Sequence, residues 1–164
     1  MPPLPLILDD ASLQISSDDT FANLKELACT TTHLELTPDT TITTVDTFCG
    51  STDYPGVTKW TLTATLVQSF DAGSTDEVLT AAIGFGKPVA FAVMGYRTQP
   101  PSALNPVWSG LCNPRHYAPI NGDAGAASEV SIEWGVVGAP TKGIVMPTSA
   151  SSAVAYEPTP AAGE

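Results

Sequence analysis

Apolar and polar residues alternate strictly along one stretch of the chain. From Trp60 to Gln68 the residues Trp60, Leu62, Ala64 and Leu66 are apolar, with Lys59, Thr61, Thr63 and Thr65 between them. That period of two predicts a strand with one packed and one wet face. Phe70-Asp71-Ala72-Gly73 then interrupts the pattern. Ser74 followed three residues later by Glu77 has the spacing of a capping box, which predicts a short helix from about Thr75 to Ile83 that stops at Gly84.

The same reading yields further strands. Residues 30–36 place Thr30, Thr32, Leu34 and Leu36 on one face and Thr31, His33 and Glu35 on the other, and residues 40–49 are rich in threonine and β-branched side chains. Asp39 to Gly56 has turn residues but few large aliphatics, so it reads as a long hairpin arm whose tip has little core of its own. Pro88 opens P-V-A-F-A-V-M, in which Val89, Phe91 and Val93 oppose Ala90, Ala92 and Met94; both faces are apolar, as in a central strand. Pro100 and Pro101 make residues 97–106 a loop. V-W-S-G-L-C and S-E-V-S-I-E-W-G-V-V add two more strands, the second pointing Val130, Ile132, Trp134 and Val136 inward, and Lys142 to Met146 is placed to close the sheet. Asp18-Asp19 reads as the cap of a helix over F-A-N-L-K-E-L-A. The expected fold is mainly β: an antiparallel β-sandwich or partly open barrel with one short α-helix and a long hairpin arm. Residues 1–146 form the expected domain, with an extended N-terminal segment, and 147–164 a low-complexity tail. There is no repeat of solenoid or propeller length.

Composition adds three constraints. A chain of 164 residues that is 43% hydrophobic builds one domain with a core. Its net charge of -11, with only six Lys and Arg, opposes stable binding to nucleic acid, because phosphate contacts require cations. The three cysteines, Cys29, Cys49 and Cys112, include no C-x-x-C pair, so neither a disulfide framework nor a zinc site is signalled. The N-terminal M-P-P-L-P-L-I-L lacks a basic segment and does not read as a signal peptide, and no apolar run is long enough for a membrane helix.

Motifs that suggest chemistry fail on spacing. G-F-G-K-P at 84–88 lacks the full phosphate-loop pattern, and Pro88 stands where a hydroxyl would bind magnesium. Gly84 is better read as a helix cap. Cys112 and His116 lie four apart, but Pro114 between them forbids the helix that would align thiol and base. His33 and His116 have no companions at metal-ligand spacing. Asp18 and Asp19, adjacent on an extended chain, point to opposite sides. No G-x-S-x-G or H-E-x-x-H is present. Trp60, Trp108 and Trp134 fall inside expected strands and read as core or contact anchors. A sugar-binding module would instead display aromatics on loops or on a wet concave sheet. The residues therefore indicate neither an enzyme nor a cofactor or metal.

An ordered series of short segments carries a family resemblance over roughly residues 25–145: T-T-V-D-T-F-C-G at 43–50, the Tyr54-Pro55-Gly56 turn, K-W-T-L-T-A-T-L-V-Q-S-F-D, D-E-V-L, P-V-A-F-A-V at 88–93 and N-G-D-A at 121–124. In these the chain resembles the major tail tube proteins of long-tailed (siphovirus-type) actinobacterial bacteriophages. The resemblance implies a virion subunit, made in the host bacterial cytoplasm, that forms stacked homohexameric rings as the conduit for genome delivery. Its partners would be copies of itself and other tail proteins such as the tape measure, terminator and distal tail proteins, with DNA passing without specific binding and no membrane. Asp46, Phe48, Cys49, Tyr54 and Pro55 on the arm would make contacts between rings, and Glu35 and Glu133 on wet strand faces would line the lumen. A tail terminator or baseplate-hub ring shares the fold and stays open as an alternative. So does a carbohydrate-binding or capsid-decorating β-module.

Overall fold

The computed structural model describes residue 6 and residues 8–147, so the expected C-terminal tail beyond Pro147 lies outside the described residues. Eight strands form one open antiparallel sheet. They are β1 (Ser12–Ser16), β2 (Leu24–Glu26), β3 (Thr31–Thr47), β4 (Gly50–Val67), β5 (Val89–Met94), β6 (Val107–Asn113), β7 (Glu129–Val136) and β8 (Thr141–Gly143). Their order is β2-β1-β5-β6-β7-β4-β3, with β8 paired to β6 beside β7. The sheet ends in edge strands β2 and β3 and does not close into a barrel.

Side chains from β1, β4, β5, β6 and β7 join the helix α1 (Thr75–Phe85), the one α-helix among the described residues, in one core of Leu13, Ile15, Leu62, Ala64, Leu66, Val78, Leu79, Phe91, Ile132 and Trp134, among others. The alternation of β4 is visible in it, because Leu62, Ala64 and Leu66 are each fully buried. All six residues of β5 are buried, as two apolar faces require of a central strand. Val89, Phe91 and Val93 enter the main core, while Ala92 and Met94 pack with Val107 on the other side. β8 closes onto β6 through Val107, Trp108 and Ser109.

Four expectations need correction. The helix continues past Gly84 to Phe85, and Gly86, at φ +70°, is the left-handed residue that ends it. The capping box does not form: Glu77 accepts from the Gly73 amide, one residue before the N-cap, and the Ser74 hydroxyl donates to the Ser69 carbonyl instead of capping the helix. Residues 21–28 do not form an α-helix; a 3-10 turn at Phe21–Asn23 leads straight into β2, and a second 3-10 turn begins at Ala28. The Asp18 carboxylate ties up the Thr20 amide and the Asn23 side chain, and Lys25 and Glu26 pair with Ile15 and Gln14 of β1. A segment this short gains more from sheet pairing than from a helix that must first nucleate. Finally, Trp60 and Trp108 are only partly buried, with ring centroids 5.7 Å apart, and of the three tryptophans Trp134 alone is fully buried.

Candidate assembly surfaces

The arm is an extension of β3 and β4 beyond the core. Their ladder continues from Thr37↔Thr61 out to Thr47↔Gly50, where Phe48 and Cys49 form a two-residue turn. About ten residues of strand project it roughly 30 Å. Every residue from 37 to 59 is exposed, so no apolar core holds the arm together. Cross-strand polar pairs take its place: Thr40 and Thr58 hydroxyls lie 2.7 Å apart, the Thr44 hydroxyl donates to the Asp53 carboxylate at 2.7 Å, and Ser51 donates to Asp46. A register shift between Thr40 and Ile42 bends the ladder. Gly56 is needed at this point, because a Cβ there would lie 2.9 Å from the Thr41 carbonyl oxygen.

Asp46, Phe48, Cys49, Tyr54 and Pro55 all fall on the distal half of the arm: Asp46 opposite Ser51, Phe48 and Cys49 in the turn, and Tyr54 and Pro55 opposite Thr43 and Ile42. The structure therefore brings the five together on one projection. Ile42, Val45 and Val57 stand beside them, 63%, 43% and 76% exposed, and Phe48 at the tip has no cover at all. Those three carry no signal of their own in the sequence, where isolated β-branched residues among threonines read only as strand.

Glu35 and Glu133 also come together. Each is registered against Thr63 of β4, one from either side, so they share one row of the same exposed face roughly 10 Å apart. His33, Thr65 and Ser131 form the next row, with His33 Nε2 3.6 Å from the Glu35 carboxylate. The Thr37 hydroxyl, and then His33, hold the Glu35 carboxyl below its ordinary pKa.

A second surface is not legible in the sequence. An apolar groove of about 310 Å3 lies at the base of the arm, walled by Leu34 and Leu36 of β3, Val93 and Met94 of β5, Trp108 of β6, and Leu104 with Leu6 and Leu8 at its mouth. The mouth residues stay open, with Leu104 93% exposed. Lys142 lies over the Trp108 ring, its Nζ 5.6 Å from the centroid, and pairs with no carboxylate among the described residues. Residues from several separate parts of the chain meet here, which no local period reveals.

The motifs that suggest chemistry stay apart. Cys112 is buried with its Sγ 3.7 Å from the Val89 carbonyl, and burial pushes its thiol up to about 12. The backbone carbonyl of His116 accepts from the Trp134 indole at 3.4 Å. Gly86 caps a helix, and Lys87 Nζ lies 6.0 Å from the Phe85 ring centroid. Among the described residues no group of three or more His, Cys, Asp and Glu is placed to hold a metal, and no helix is long and apolar enough to cross a membrane.

No protein-family model matches the sequence, and neither does any curated protein. Solved structures do match the fold. One is a chain in the virion of a native gene transfer agent particle, at a TM-score of 0.56 and 13% identity, over 81% of this chain and 95% of that one. Another is a chain in the tail of an empty gene transfer agent particle, refined helically with C6 symmetry, at a TM-score of 0.56 and 15% identity, over 80% and 94%. At these identities the likeness establishes a shared fold across nearly the whole of the matched chains.

Proposed function

We propose that this chain is a structural subunit of a phage-type tail tube, whose work is geometric rather than catalytic. Six copies form a ring, rings stack, and the stack is the conduit for genome delivery, joined at its ends to other tail proteins. The observation that carries this reading is the arm. A hairpin exposed at every residue from 37 to 59 packs on nothing else among the described residues, and a two-stranded ribbon is marginally stable alone. Its exposed Ile42, Val45, Phe48, Tyr54 and Val57 call for a partner.

Two further observations support the same reading. Among the described residues the edge strands β2 and β3 each have one strand partner, and such edges in isolation invite uncontrolled pairing; a ring of identical subunits can satisfy them in a closed set, while contacts along the axis remain open and give a filament. The fold is shared over 80% of the chain with a protein in a C6-symmetric tail. The row of Glu35 and Glu133 suits a wall past which DNA slides without sticking.

Sedimentation and light scattering across a concentration series test the proposal. Species growing from ring to polymer are expected, with interfaces burying about 2,000 Å2 or more each. A single monomeric species at high concentration would remove the tube reading.

A further inference from the structure

We infer that the apolar groove at the base of the arm is the seat for the arm tip of a second copy of this chain. The inference rests on the tube reading and names the surface that receives the arm. The groove is walled by Leu34, Leu36, Val93, Met94 and Trp108, and its mouth residues Leu6, Leu8 and Leu104 are 60%, 53% and 93% exposed, so among the described residues it is apolar and open. The tip carries Phe48, fully exposed and held in a two-residue turn.

Charge favours the same pair. Residues 40–58 of the arm contain two carboxylates, Asp46 and Asp53, and no Lys, Arg or His. Lys142 lies at the groove over Trp108 and forms no ion pair among the described residues. An acidic tip with an aromatic side chain thus meets an apolar slot with a cation beside it, an arrangement that fixes register as well as affinity.

The contact has to join different copies. The groove wall at Leu36 runs directly into the arm at Thr37, and the paired ladder carries the tip roughly 30 Å away, so an arm cannot fold back onto its own base. Tip and groove are different surfaces, which makes the contact heterologous. They are separated by one arm length along one direction. Repeated without a closing rotation, a heterologous contact of this kind builds a stack in which the arm length sets the spacing between copies at roughly 30 Å.

Disulfide trapping in the full chain tests this. In a Cys29→Ser background the buried Cys112 is inaccessible, and Cys49 at the tip is the one native exposed thiol. With Leu104→Cys added at the groove mouth, mild oxidation is expected to give a ladder of intermolecular products in which Cys49 of one copy is joined to the thiol introduced at position 104 of the next, identified by peptide mass spectrometry. Phe48→Ala and Lys142→Glu are each expected to raise the concentration at which polymers appear by about tenfold. Asp46→Lys with Asp53→Lys in the Lys142→Glu chain is expected to recover part of that loss. Polymers that form without this tip-to-groove cross-link, or with Cys49 joined only to Cys49, would overturn the groove as the seat and leave the tube reading standing. The tip-to-groove cross-link in dimers that never build rings would support the seat and remove the hexameric tube. Neither polymer nor cross-link at high concentration would overturn both.

Discussion

Trp60 and Trp134 lie on adjacent strands, share the same residue type and differ in burial, which separates their energetics. Trp134 is fully buried opposite Leu62, and its indole N–H reaches the His116 carbonyl. Trp134→Ala is expected to cost about 3 to 5 kcal/mol in denaturant unfolding, as a large core truncation. Trp60 is partly exposed and tilts against Trp108, so Trp60→Ala should cost about 1 to 2 kcal/mol. Equal losses would contradict the assigned core. The alternation names both residues as inward-facing, but it cannot show where the core ends along the strand. Among charged residues Asp18 matters most locally. The Thr20 hydroxyl, with the Thr20 amide, Asn23 and Ser16, lowers its carboxyl from 3.8 to about 2. A folded-state pKa below the unfolded one contributes stability that is complete above about pH 4 and lost as pH falls towards 2. Asp18→Asn is therefore expected to flatten the fall in urea midpoint between those pH values, and an unchanged slope would contradict the role given to Asp18.

At the scale of elements, sequence pattern serves well where burial is one-sided and poorly where it is absent. The inward faces of β4 and β7 and the two-faced β5 follow from period, and the helix starts at Thr75 as the Ser74–Glu77 spacing predicts, although Ser74 makes no capping bond. The true extent of β4, which begins at Gly50, does not, because its outer half is held by backbone pairing and by threonine, serine and aspartate side chains that leave no hydrophobic period. β2 reads as helix in the sequence because F-A-N-L-K-E-L-A follows Asp18-Asp19 as a cap, and only tertiary pairing with β1 decides otherwise. The arm itself is legible as a stretch lacking aliphatic core. Replacing residues 46–54 with a short Gly-Ser turn should leave the thermal unfolding transition nearly unchanged, since no buried residue is removed, while abolishing polymer growth. Loss of folding with assembly intact in milder arm variants would reverse that assignment.

The order β2-β1-β5-β6-β7-β4-β3 belongs to the whole molecule, and no local signal contains it. The groove and the shared row of Glu35 and Glu133 both depend on it, which is why the two carboxylates can be named in the sequence but not placed together. The same scale sets the behaviour towards DNA. At a net charge of -11, no binding is expected in low salt, where phosphate contacts are strongest; micromolar binding that weakens steeply as salt rises would reveal a basic patch and contradict the repelling wall. The central claim, that this chain builds a tube of six-membered rings, is tested most directly by electron microscopy of the concentrated, purified protein. End-on views with six-fold symmetry and side views of stacked rings linked by their arms are expected. Isolated globules alone, or closed assemblies of another symmetry, would contradict it.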